Sequence, residues 1–450
     1  MTLRLAKILL LIAFITNLNA QDKIVIVGDS FVGKKVGLYS FREFIGNVVM
    51  THGKVKVTCE RAVQNLTLDQ VQLIGNVVIT QDSIQIFTDT GFYYGKEEKA
   101  FSHSGIRMVD GSSELTADSG YYFVNEEIAH FYGNVVLTDS SKKMTANKLY
   151  YFNSNDSSLA IGNVIVIDSN AVIYTDSLIY LNETDYSHAF GNTKIVSEKD
   201  RLTIYSDEFF NYGDSNYTLL KGRPLMIKVD STSTGYDTLY LSSEIMESYY
   251  DTVSVLIAKD SVLLKRGNFS SVSDLTMYYR DENKIFTYKI NDEANQPVLW
   301  YENSQLAGDS VFIYLKDNSL DSISVVKNAV LISQNENFDF RFDQISGYNV
   351  VLKFKDGNIE RTKVNGNVLS IYYLYEENEP NGLIKSSAKY AEIIFEDNEV
   401  VKVNMAGTPV SEYHPEKLVA GKEKEFTLPT FKIYKNRPTI KQVIGTRKIF

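Results

Sequence analysis

The sequence predicts an all-β fold of stacked antiparallel repeats, and three observations carry that expectation. Glycines of a recurring Gly-Asn motif stand at Gly46, Gly75, Gly105, Gly133, Gly162, Gly191 and Gly222, spaced 28 to 31 residues apart. A second element ("IFTDTGFYY", "LTADSGYYF", "MTANKLYYF", "IYTDSLIYL", "IYSDEFFNY") keeps the same beat, with a polar pivot at Asp89, Asp118, Asn147, Asp176 and Asp207. The composition, 30 Tyr and 24 Phe against 7 Pro, favours strands. Self-similarity at such a period means supersecondary units that bury their apolar faces only by stacking.

Residues 1–20 come first. Arg4 and Lys7 precede an apolar run from Ile8 to Ile15 and a small-residue end at Ala20, the pattern of a cleaved signal peptide; the run is too short for a membrane anchor. Cleavage would move the net charge from −10 to −12 by removing two cations. An acidic chain lacks the basic footprint that phosphate binding needs, so no nucleic-acid partner is expected. The single cysteine, Cys59, excludes an internal disulfide and reads as a small buried residue.

Residues 21–225 form the first repeat domain. Each unit reads as a Gly-Asn strand ("GNVVIT") and a Thr-x-Asp strand joined by polar turns, an antiparallel meander. Three residues before the pivot stand Ile86, Leu115, Met144, Ile173 and Ile204, and three after it Phe92, Tyr121, Tyr150, Ile179 and Phe210. Both rows are apolar and both are expected to face inward. The position after the pivot is polar, which implies a bend or bulge that carries each strand from one sheet to a facing one. At about 4.8 Å per strand, each two-strand unit advances the stack by roughly 10 Å around a lengthwise apolar interior with two open ends. Val77, Val135 and Val164, with Ile79, Leu137 and Val166, are second candidates for that lining.

Residues 226–407 keep the principle with longer units: 305–333 aligns with 344–372 at an offset of 39, and a weaker copy follows at 391–407. From 408 to 450 the pattern breaks into a lysine- and proline-bearing tail or edge-capping segment.

The motifs that could carry chemistry are weak. "GDSFVGKK" approaches a phosphate-binding loop, but Lys35 stands where a magnesium-binding hydroxyl is needed and strand-like residues follow where a helix must begin. His103, His130 and His188 occupy one repeat slot, with rungs too far apart to share an ion. The pivot carboxylates suit backbone hydrogen bonding at a bend better than calcium. Tyr93, Tyr122, Tyr151 and Tyr180, spaced 29 apart, suggest an aromatic ladder on a sheet face. No cofactor, no metal and no catalytic constellation is expected. An enzyme acting on envelope polysaccharide would need acids clustered in an exterior cleft, which regular Asp spacing does not suggest.

Taken in register, the Gly-Asn-Val-Val and Thr-Ala-Asp-x-x-Tyr-Tyr repeats resemble the OstA-like lipopolysaccharide-transport proteins, the family of the bridge protein LptA and of the periplasmic domain of LptD. The likeness runs over about 24 to 407, and "PVLWYENSQLAGDSVFIYL" is similar to the longer proteins of Bacteroidota. The resemblance implies a β-jellyroll open at both ends, an apolar groove for lipopolysaccharide acyl chains, and end-to-end strand pairing with like jellyrolls or with another copy head to tail. It implies a periplasmic protein near the outer membrane, with the two inward rows named above as groove candidates. A structural or adhesive repeat protein of the cell envelope is the alternative.

Overall fold

A computed structural model of the chain describes residues 25–447 apart from 53–54, 124, 233–234, 251–253, 318, 378 and 397–398. The expected signal peptide lies outside the described residues. Nearly all of the rest is strand, and every neighbouring pair is antiparallel, giving the expected all-β jellyroll. The contacts divide the chain into two units, Met1–Lys199 with Asp207–Thr218, and Asp200–Ser206 with Leu219–Phe450.

In the first unit each strand of 10 to 14 residues, such as Ile128–Thr138 and Lys143–Phe152, runs the length of a hairpin and bends in its middle. The bend is a bulge: Gly133 and Asn134 oppose the single residue Asn147 between the pairs Tyr132↔Lys148 and Val135↔Ala146. Both bulge residues take the left-handed conformation, at φ 75 and 45°, which glycine adopts freely and asparagine tolerates. This is the physical meaning of the Gly-Asn repeat. It turns the strand from one sheet into the facing one.

The first turn of the repeat lies before the glycines that reveal it. Val25–Val27 and Ser30–Val36 pair with the two halves of Tyr39–His52, and Asp29 between them holds the pivot slot. The apparent phosphate-binding loop is therefore strand. Lys34 and Lys35 lie in Ser30–Val36, and another strand, Tyr39–His52, follows where such a loop requires a helix.

Within the second unit the strands lengthen to 16, 14, 19 and 18 residues over Ser319–Gln334, Phe342–Lys355, Asn358–Glu376 and Glu379–Glu396. Val311 and Val350, and Val325 and Val364, each pair 39 apart, fill equivalent slots of one buried cross-strand row. The 408–450 segment begins with an edge strand, Val410–His414, on Leu383–Ser387. Beyond Pro415 it leaves the edge and runs across the face of this unit's sheet, meeting Gln344, then Gln305, then Ser270.

Candidate functional site

In the first unit directly opposed residues form an unbroken apolar row: Ile26, Met50, Val57, Ile79, Ile86, Met108, Leu115, Leu137, Met144, Val166, Ile173 and Ile195. Opposed residues of antiparallel strands point to the same side, so this row is one continuous seam across twelve strand segments. The structure brings together Ile86, Leu115, Met144 and Ile173 with the second candidates Ile79, Leu137 and Val166. Leu115 is fully buried, and Met144 and Leu137 nearly so. Val77, Val135 and Val164 form a parallel row one step nearer the bulge. Ile204 is half-buried and belongs to the second unit, opposite Met226.

The other candidate row requires a correction. Phe92, Tyr121, Tyr150 and Ile179 do not face the seam. They form a cross-strand row on the outer face of the opposite sheet, through Phe101, His130, Leu159 and His188. Phe210 joins that face by stacking on His188 at 4.1 Å. The cause is the bulge, which shifts parity, so the inward positions after the pivot are the second and fourth. Those hold Ala62 in one copy and Leu149 and Tyr151 in another; Ala62 packs in one core with Val57 and Cys59. Glycine at Gly91 and Gly120 hides the second position from a reading of apolar pattern.

The 29-spaced tyrosines also change role. Tyr93, Tyr122, Tyr151 and Tyr180 face inward and alternate with Ala100, Ala129, Ser158 and Ser187 along one row, large side chains beside small. Burial pushes the Tyr122 hydroxyl up to about 12. Tyr151 donates to Asp156 at 2.6 Å at the turn that closes its strand. The stacked rings are those of the outer row: Phe92 on Phe101 at 4.9 Å, Phe101 on Tyr121 at 5.8 Å, and His130 edge-on to Tyr150 at 4.6 Å. The three repeat histidines all make ring contacts on this face.

Pivot carboxylates pair with bulge asparagines at several rungs. Asn134 donates to Asp118 and Asn192 to Asp176, both at 2.9 Å, and Asn76 to Glu60 at 2.6 Å. The row of acids is thus built into the bends. Two rungs depart: Arg223 follows Gly222, and Ile106 stands where the motif has asparagine, opposite the exposed Asp89. At the Ile106 rung the strands break into Lys99–Ser102, Ile106–Asp110, Ser113–Ala117 and Ser119–Phe123. A depression of about 380 Å³ opens there, lined by Asn76, Phe87, Asp89, Ser104, Ile106 and Arg107 among others. Among the described residues no helix is long and apolar enough to cross a membrane, and no cluster of His, Cys, Asp and Glu could hold a metal ion.

Stacked, bulge-turned hairpins around an apolar seam define a repeat protein of the jellyroll class. The model of the family "OstA-like protein" matches residues 38–154 and 147–293, more than half of the chain. The chain belongs to the OstA-like family. No curated protein matches it. Among solved structures it is similar to LptH of Pseudomonas aeruginosa, described as the LptA-homologous periplasmic component of the conserved lipopolysaccharide transport device. That likeness has 13% identity and a TM-score of 0.12, over 39% of this chain and 95% of LptH.

Proposed function

We propose that this chain is a periplasmic component of lipopolysaccharide transport that shelters acyl chains along the seam of its first unit. The unbroken apolar row from Ile26 to Ile195 carries the reading, because it offers one continuous apolar surface at right angles to the strands, the geometry a stretched acyl chain needs. Family membership supports it. Burial of a methylene is worth about 0.8 kcal/mol, so ten of them contribute roughly 8 kcal/mol toward replacing the seam's contacts with itself. The guest enters by parting the two sheets.

The bridging role uses strand edges. Among the described residues, Ser30–Val36 pairs along one side only and exposes Phe31 and Val36, while Glu399–Ala406 pairs only with Glu379–Glu396 and exposes Val401 and Val403. An unpaired edge is a template for the strand of a like jellyroll.

One observation favours the alternative of a structural envelope protein: the seam is filled by its own side chains, with Met108, Leu115 and Met144 at 1, 0 and 2% exposure. A photo-crosslinking residue at Leu115 or Ile173 separates the two. The transport reading expects a covalent lipopolysaccharide adduct there and none at Tyr174, which is exposed on the other side of the strand that carries Ile173. A folded, exported protein with no adduct at either seam position gives the structural reading the field.

A further inference from the structure

We infer that the outer face of the second unit's sheet is a peptide-binding channel that reads backbone, that the chain's own C-terminal segment is its resident ligand, and that the same segment of a second copy exchanges into it.

Leu299, Leu306 and Leu331 face the interior of this unit as one cross-strand row. Their neighbours Val298, Trp300, Ala307, Val330 and Ile332 point the other way, yet they too are buried, because Phe431 and Tyr434 of the C-terminal segment cover them.

Two buried glutamines do the reading. Gln305 accepts from the Tyr434 N–H at 2.8 Å and donates to the Lys432 carbonyl at 2.7 Å. Gln344 accepts from the Leu428 N–H at 2.9 Å and donates to the Phe426 carbonyl at 3.4 Å. Each side-chain amide thus closes a two-point ring on residues i and i+2 of the segment, as a neighbouring strand would. The glutamines stand 39 apart, the period of this unit, so the reading device is itself part of the repeat. Nothing in these four bonds depends on the segment's side chains. Among the described residues no main-chain hydrogen bond joins 416–447 to the sheet, so release breaks no ladder.

The segment is held at its start. Arg341, 2% exposed, donates to both carboxylate oxygens of Glu416 at 3.1 and 2.5 Å and to Glu423 at 3.2 Å.

Charge and availability choose the occupant. Residues 416–447 carry eight Lys or Arg against three Glu, a net +5 in a chain of net −10, which leaves −15 on the remainder. The channel therefore belongs to an acidic body and its ligand is basic. A second copy brings the one peptide that already fits, and the contacts made in trans are those made in cis.

The test mixes two full-length preparations, one tagged and carrying benzoylphenylalanine at position 431, the other untagged. The expected result is an adduct between copies that maps to Val298–Tyr301 or Phe342 and grows with protein concentration. The variant Glu416→Gln, carried by the untagged copy alone, weakens that copy's hold on its own segment and should enlarge the share taken in trans from the tagged copy. A labelled peptide of residues 424–438 should bind that variant and lose about tenfold or more in affinity when Gln305→Ala and Gln344→Ala are added, since each removes two hydrogen bonds of about 1 kcal/mol. Adducts confined to one copy at every concentration, in wild type and in Glu416→Gln, overturn exchange. Peptide affinity indifferent to the two glutamines overturns backbone reading. Should Glu416→Gln fail to fold, the wild-type concentration series and peptide competition against the adduct decide alone.

Discussion

Asn134 donates its side-chain amide to the carboxylate of Asp118 at 2.9 Å, across the bulge that turns one sheet into the other. Asn47 with Asp29, Asn192 with Asp176 and Asn328 with Asp309 repeat the pairing, so one bond type fixes the bend from rung to rung.

Removing one such bond should loosen one bend. Asp118→Ala is expected to cost about 1 kcal/mol in urea unfolding, the worth of an exposed charge-assisted hydrogen bond. Gly133→Ala should cost more, about 2 kcal/mol or above, because φ is 75° there and the new methyl would meet the Asp118 side chain. Equal stabilities for Gly133→Ala and wild type would refute the strained-bulge account.

Seam and outer face should respond differently to truncation. Leu115→Ala opens a cavity at a fully buried site and is expected to cost about 2–5 kcal/mol. Tyr121→Ala removes a half-buried ring from the outer row and should cost about 1 kcal/mol, from its contacts with Phe101 and His103. The reverse order in denaturant midpoints would put the seam on the wrong face.

Asp343 should make the protein less stable as pH rises. Burial pushes its carboxyl up to about 7, although it accepts the Tyr373 N–H at 2.9 Å, whereas in the unfolded chain it titrates near 4. The folded state therefore favours the protonated form. That stability is full below about pH 4 and is lost as pH climbs to about 7. Three units correspond to at most ~4 kcal/mol, and partial solvent access reduces this to about 1–2. Asp343→Asn keeps the acceptor and should match wild type at pH 4 and exceed it at pH 8. A pH-independent difference in thermal midpoint would count against it.

The hold on the C-terminal segment should weaken in acid. The Arg341 hydrogen bond keeps the Glu416 carboxyl below its usual range, so its contribution is present above about pH 4.5 and lost as pH falls through the lowered value. Arg341→Met should free the segment at neutral pH, and amide exchange over 424–434 is expected to rise at least about tenfold, with Val311 and Val350 remaining protected. Unchanged exchange would mean that the apolar contacts hold the segment without Arg341.

Much of this was readable in the residues themselves. The period of 29, then 39, announced stacked hairpins because identical rungs need identical spacing. The polar residue after each pivot announced a bend or bulge; the structure puts the bulge on the facing strand, at Gly133 and Asn134, where the backbone is left-handed. The row of Leu115, Met144 and Ile173 followed from both. The face of Tyr121 and Tyr150 was not readable, since a bulge shifts parity by one and the glycines at Gly91 and Gly120 erase the apolar mark of the true inward position.

The sequence by itself determined the repeat, its antiparallel strand order and a bend at each pivot from Asp89 to Asp207, since these depend on local backbone preference and on residues already aligned by their spacing. Only the tertiary structure decided which side of each bent strand faces the seam, that the strands break at the Ile106 rung, and that the C-terminal segment lies across Gln305 and Gln344. Those outcomes depend on contacts between residues up to 129 positions apart, as Gln305 and Tyr434 are, and no local pattern records which distant surface a tail will cover.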